Sequence, residues 1–104
     1  MGRAVGTLMT PKIETSAKRV RVMLDGRFVA DCSSPLLVWE RPHFPTYYFP
    51  LAAVDPAVAA GDGVYTHPAP ELADHVALRW HAFDHWLEED EEVFVHPRDP
   101  YKRV

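Results

Sequence analysis

The chain has little of the residue types from which many catalytic and metal sites are built. Cys32 is its one cysteine, which excludes an intramolecular disulfide and a cysteine-rich zinc site. The five glycines are scattered and form neither common phosphate-binding loop, which weighs against ATP-dependent chemistry. Ser33 and Ser34 lack the flanking glycines of a Gly-x-Ser-x-Gly nucleophile turn. Most familiar catalytic templates are therefore absent from the sequence.

Long apolar runs and an excess of positive charge are also absent. No segment approaches the roughly 18 consecutive apolar residues that cross a bilayer, and the N-terminus lacks the apolar region of a secretory signal. We therefore predict a cytoplasmic protein with no membrane partner.

The net charge is −4, whereas nucleic-acid affinity depends on Lys and Arg contacts to phosphates, so we expect no nucleic-acid partner. We interpret the small basic patch of Lys18, Arg19 and Arg21 as a solvated strand edge.

What the sequence does contain indicates one small β-rich domain. Its 104 residues and 47% hydrophobic content fit a single domain with a core. Residues 1–17 have no sustained period, so we predict a mobile arm there and a single domain over residues 18–104. Asp25-Gly26 separates two apolar runs and is typical of a type I′ hairpin turn, which needs positive φ at both central residues. Further strands are predicted at residues 36–39, 46–49, 64–66 and 93–95, with 55–70 otherwise a connection.

Residues 71–90 support two interpretations. Leu72, Val76, Trp80, Phe83 and Leu87 recur at spacings of four and three, which favours a helix. Val76, Leu78 and Trp80 also alternate, which favours a strand. The predicted fold class is mainly β, a small single-domain antiparallel sheet fold with at most one short helix.

Two clusters of ionisable residues are candidate metal sites. His81 and His85 would share a face of a helix, but local spacing provides no third ligand. The five acidic residues from Glu88 to Glu92 do not match a calcium loop and are typical of a solvated face or turn. We therefore predict no metal and no cofactor.

The C-terminal run His96-Pro97-Arg98-Asp99-Pro100 is a proline-held loop with three interpretations. Arg98, Asp99 and Arg103 could lock the C-terminus of the fold. Alternatively, His96 and Arg98 bind a small molecule or a protein partner. In that case we predict that Trp39, Tyr48 and Trp86 contribute aromatic side chains to the same binding site. In a third interpretation the protein is an enzyme in which His96 is a general acid or base oriented by Asp99 or Glu89. We favour a non-catalytic domain, and an exposed strand edge also allows pairing into a homodimer.

Several blocks of the chain resemble a bacterial family filed as domain of unknown function 427. They are Arg19-Val20-Arg21-Val22 with Asp25-Gly26, Leu37-Val38-Trp39-Glu40, Tyr47-Tyr48-Phe49-Pro50 and the tail from Trp86 to Val104. The resemblance implies a small, mainly β domain with a strand over residues 76–80 and a short helical turn near residues 83–87. Members carry a nucleotidyltransferase-like label, but no biochemical role follows from it. This chain lacks the His-Cys-Pro-x-Lys-Gly segment of longer members.

Overall fold

The computed structural model describes residues 10–94, and its framework is nine strands arranged in two antiparallel sheets. The strands are β1 (Lys12–Thr15), β2 (Val20–Leu24), β3 (Arg27–Cys32), β4 (Leu36–Trp39), β5 (Thr46–Pro50), β6 (Val64–Tyr65), β7 (His75–Leu78), β8 (His85–Glu88) and β9 (Glu91–Val93). One short α-helix, α1 (Pro56–Ala59), and 3-10 turns at Leu51–Ala53, Pro70–Leu72 and Trp80–Ala82 connect them. The predicted fold class is therefore confirmed.

The sheets are ordered β1-β4-β5-β7-β6 and β3-β2-β8-β9. The predicted hairpin is confirmed as β2–β3, with Asp25 at φ 53° and Gly26 at φ 81° in its turn. The basic residue Arg21 lies on β2, which β3 and β8 flank on both sides. Arg21 therefore lies on an interior strand of the sheet, and the interpretation of the basic patch as a strand edge is wrong for this residue.

The five-stranded sheet is buried on both faces. Tyr47 and Phe49 of β5 contribute to a core shared with the other sheet, where they join Val22 and Trp86. Tyr48, between them, belongs to a second core cluster that contains Leu72 of a 3-10 turn. Because successive side chains of a strand point to opposite faces, burial on both faces produces the unbroken apolar run Tyr47-Tyr48-Phe49.

The ambiguous segment 71–90 contains two strands, and the helical interpretation is wrong. β7 and β8 are separated by the 3-10 turn at Trp80–Ala82. The strand that the resemblance implies over residues 76–80 corresponds to β7, and a helical turn follows it. That turn lies at Trp80–Ala82 and not near residues 83–87, where Phe83 is extended and His85–Glu88 is β8. β8 pairs with β2, placing Trp86 opposite Val22. Pairing with β2 satisfies the backbone hydrogen bonds of β8. The spacing of apolar residues within 71–90 cannot reveal that pairing, because β2 is distant in the sequence.

Three other boundaries differ from the sequence-based expectations. The arm predicted for residues 1–17 contains β1, which pairs with β4 and places Ile13 opposite Val38. The connection 55–70 contains α1, which begins at a proline and is capped by Asp55, whose Oδ1 accepts the Ala57 N–H at 2.8 Å. The last strand, predicted at 93–95, ends at Val93. The neighbouring Phe94 lies in an exposed bend, and Val95 is outside the described residues.

Candidate functional site

The residues predicted to bind a ligand do not form one group in the described structure. Trp86 is buried and lines a cleft beside the β4–β5 loop. Trp39 on β4 does not line that cleft, and the Lys12 ammonium lies 4.5 Å from its ring centroid. Tyr48 is buried in the second core cluster. His96, Arg98 and Asp99 lie outside the described residues, so their proposed roles stay predictions.

Glu89, the remaining candidate for acid or base chemistry, lies in the β8–β9 turn. Its backbone has a φ of 56°, and its Oε2 accepts the Arg19 N–H at 2.7 Å. The Glu89 N–H in turn donates to the Arg19 carbonyl at 2.8 Å. Glu89 does not line the cleft. These reciprocal hydrogen bonds attach the turn to the start of β2.

The cleft lies beside the β4–β5 loop and the end of β7. Its volume is about 840 Å³. Its wall comes from four parts of the chain, and more than half of the lining residues are aromatic or basic. The lining residues are Glu40, Arg41, Phe44, Pro45, Thr46, Tyr47, Tyr65, Leu78, Arg79, Trp80, His81, Ala82 and Trp86.

The aromatic wall of the cleft is held by mutual stacking. The rings of Trp80 and Trp86 are 4.3 Å apart between centroids, at an interplanar angle of 18°. The Trp86 indole N–H donates to the Trp80 carbonyl at 3.1 Å, and Tyr47 stacks near Trp86 at 6.5 Å and 20°. Aromatic pairs of this kind contribute about 0.5–1.5 kcal/mol beyond their buried area. The wall is therefore preformed.

Two tyrosines hold the carboxylate of the cleft. The Tyr48 hydroxyl donates to Glu40 Oε2 at 2.6 Å, and the Tyr65 hydroxyl donates to Oε1 at 2.9 Å. Burial raises the pKa of both phenols, and their hydrogen bonds to Glu40 raise it further. Both tyrosines therefore remain protonated donors at neutral pH, and both oxygens of Glu40 are engaged.

Positive charge reaches the cleft from two arginines. The Arg79 guanidinium lies 4.8 Å from the Tyr65 ring centroid, and its Nε donates to the Asp62 carbonyl at 3.2 Å. The Arg41 guanidinium lies 5.7 Å from the Phe44 ring centroid. Contacts between guanidinium groups and aromatic faces are favourable and orient the planar cation.

A buried tyrosine connects the cleft to the basic patch on the neighbouring sheet. The Tyr47 hydroxyl donates to Glu88 Oε2 at 2.9 Å, and Lys18 Nζ is 3.4 Å from Glu88 Oε1. Burial, followed by the nearby Glu88 carboxylate, raises the pKa of Tyr47. Two basic residues thus pair with the acidic run, since Arg21 also contacts Asp90 at 3.4 Å.

The histidine pair that was weighed as a metal site is not assembled. His81 belongs to a 3-10 turn and His85 begins β8, where its Nδ1 contacts a carboxylate oxygen of Glu92. Within residues 10–94, no three His, Cys, Asp or Glu side chains are grouped to hold a metal ion.

Sequence reasoning missed most of the cleft. Glu40, Tyr65 and Arg79 come from separate elements, and their meeting depends on the pairing of β5, β6 and β7. The one usable signal was Arg79-Trp80-His81, a basic, aromatic and polar run directly after an apolar strand.

No helix in the described part of the chain is long and apolar enough to span a membrane.

Comparison with known proteins identifies one matching family model. No curated protein and no solved structure matches the chain. The model of the family described as Domain of unknown function (DUF427) matches residues 12–67. That match spans β1 to β6 and more than half of the sequence. The chain therefore belongs to the DUF427 family.

Proposed function

We propose that this protein is a non-catalytic binding module and that the aromatic cleft takes a small planar molecule. The observation that carries the proposal is the stacked Trp80–Trp86 wall in a cleft of about 840 Å³. Small-molecule sites typically have volumes of about 300–1,000 Å³, mostly apolar walls and a few placed polar groups. The cleft combines these properties.

The engagement of the polar groups favours binding over proton transfer. Glu40 accepts hydrogen bonds from two phenols, and burial keeps those phenols protonated. A general acid or base needs a pKa near the working pH, which these tyrosines do not have. Glu89 is occupied by the backbone of Arg19. The hydrogen bonds therefore give Glu40 and Tyr65 a role in shaping the cleft rather than in proton transfer.

The three tryptophans allow a direct test by proton–nitrogen NMR, because two line the cleft and Trp39 does not. Naphthamide, a neutral planar probe, should shift the indole signals of Trp80 and Trp86 in a saturable titration while leaving that of Trp39 in place. Stacking of the probe on the aromatic wall is the physical reason.

A matched pair of variants controls this experiment. Trp80→Leu should abolish the saturable response, whereas Trp39→Leu should retain it. Absence of any saturable response, or an equal response at Trp39, would contradict the cleft as the binding site.

A further inference from the structure

We propose that the ligand of this cleft carries an anionic group, a carboxylate or a phosphate attached to a planar ring, and that Arg41 and Arg79 bind that group. The inference rests on the proposed function of the cleft as a binding site. It goes further by specifying the charge and shape of the ligand.

The arginines of the described residues divide into two groups. Arg19 pairs with Asp31 at 2.6 Å, Arg21 with Asp90 at 3.4 Å and Arg27 with Asp55 at 2.7 Å. Within residues 10–94, Arg41 and Arg79 have no carboxylate within ion-pair distance, and both line the cleft. Among the arginines of residues 10–94, the two without an ion pair are therefore both found at the cleft.

The orientation of Arg79 leaves hydrogen-bond donors available. Its Nε donates to the Asp62 carbonyl, and its guanidinium carbon lies 4.8 Å from the Tyr65 ring centroid. Within residues 10–94, neither of its Nη atoms makes a hydrogen bond or an ion pair. An arginine held in this way presents a paired set of N–H donors that matches two oxygens of a carboxylate or phosphate.

Glu40, the acidic residue that lines the cleft, makes no ion pair with either arginine. Its two oxygens accept the hydroxyls of Tyr48 and Tyr65. The lining therefore contains two guanidinium groups and one carboxylate, which leaves a formal excess of one positive charge. A ligand anion would complete the charge balance of the cleft.

The charge of the whole chain makes anion binding a local property. A net charge of −4 disfavours the approach of anions at long range. A preference for an anionic ligand must therefore come from Arg41 and Arg79 at short range. The Trp80–Trp86 wall would contact the ring of the same ligand.

The test compares probes that share one ring system. Naphthoate and naphthyl phosphate are titrated beside neutral naphthamide, with the indole signals of Trp80 and Trp86 as readout. We expect at least one anionic probe to bind about tenfold tighter than the amide, the scale of one charge-assisted hydrogen-bonded contact. The two anionic probes distinguish a carboxylate ligand from a phosphate ligand.

Arginine variants locate the source of the preference. R41Q and R79Q should each reduce the ratio of anion affinity to naphthamide affinity, measured in the same variant, to about twofold or less, and the proton–nitrogen spectrum of each variant verifies that it folds. R27Q is the matched control, since Arg27 pairs with Asp55 and does not line the cleft, and it should keep the full preference.

The outcomes separate the two proposals. If naphthamide binds and neither anionic probe binds tighter, the anion inference is overturned while the binding site stands. The same holds if the preference survives in both R41Q and R79Q. If none of the probes binds, both proposals fall.

Discussion

The hydroxyl of Tyr48 is the polar end of a fully buried side chain, and it donates to Glu40 at 2.6 Å. Tyr48→Phe removes this hydrogen bond and keeps the ring in the second core cluster. A hydrogen bond to a charged group contributes about 1.5–3 kcal/mol to stability. We expect the free energy of unfolding, measured by urea denaturation, to fall by an amount in this range.

Tyr65→Phe is the matched control, because Tyr65 donates to the same carboxylate from a more exposed position. Water can replace its hydroxyl, so we expect a loss below about 1 kcal/mol. Equal losses in the two variants would contradict a special role for the buried phenol.

Residue type and alternation predicted burial better than they predicted partners. The run Tyr47-Tyr48-Phe49 was recognisable as a strand, but which tyrosine faces which sheet depends on packing across both faces. Trp39 and Trp80 have equally aromatic side chains in the sequence, yet Trp80 alone of the two lines the cleft. The two tryptophans differ in location because of how the strands pair, and that pairing cannot be read from the residues next to each tryptophan.

At the scale of elements, the β2–β3 hairpin depends on a glycine in the left-handed region. Gly26 has a φ of 81°, and an added Cβ would meet no atom within 4 Å. Gly26→Ala therefore isolates the backbone cost, which is about 1–2 kcal/mol for an L-residue in this conformation. Thermal and urea unfolding should show a loss of that size.

Gly61→Ala provides the comparison for Gly26→Ala. Gly61 has no positive φ, and an added Cβ would make ordinary contacts at 3.5 and 3.7 Å to backbone oxygens. We expect a change below about 0.5 kcal/mol. A similar loss in both variants would mean that the hairpin turn does not require its left-handed conformation.

Elements with local signals were predicted, and those defined by distant pairing were not. Asp25-Gly26 and the prolines around β4 and β5 mark their boundaries within a few residues. By contrast, β7 pairs with β5 and β8 pairs with β2, far away in the sequence. Apolar spacing in residues 71–90 fits both a helix and two strands, and packing between the sheets decides between them.

At the scale of the whole molecule, several surface charges form ion pairs between neighbouring elements. Arg19 joins β2 to β3 through Asp31, and Arg27 joins β3 to α1 through Asp55. His85 joins β8 to β9 through Glu92. Exposed pairs of this kind contribute little to stability individually. They do make stability depend on pH: the contribution of the Asp31 and Asp55 pairs is lost at acid pH, and that of the His85–Glu92 pair is lost at alkaline pH.

The pH dependence of stability follows from the direction of three pKa shifts. The Arg19 hydrogen bond holds the pKa of Asp31 below its usual 3.8, and the Arg27 hydrogen bond does the same for Asp55. Such carboxylates stabilise the fold above the unfolded pKa and lose that contribution as pH falls through the folded value. The Glu92 hydrogen bond raises the pKa of His85 above 6.5. That contribution is present below the unfolded value and is lost as pH rises through the folded one.

We therefore expect the urea midpoint to be highest between about pH 4 and pH 6.5 and to decline on both sides. His85→Gln should flatten the alkaline decline, and Asp31→Asn should flatten the acid decline. His43→Gln is the control for the alkaline side, because His43 is an exposed residue of the β4–β5 loop. An alkaline decline that is as steep in His85→Gln as in the unchanged protein would show that the His85–Glu92 contact does not couple β8 and β9 to pH.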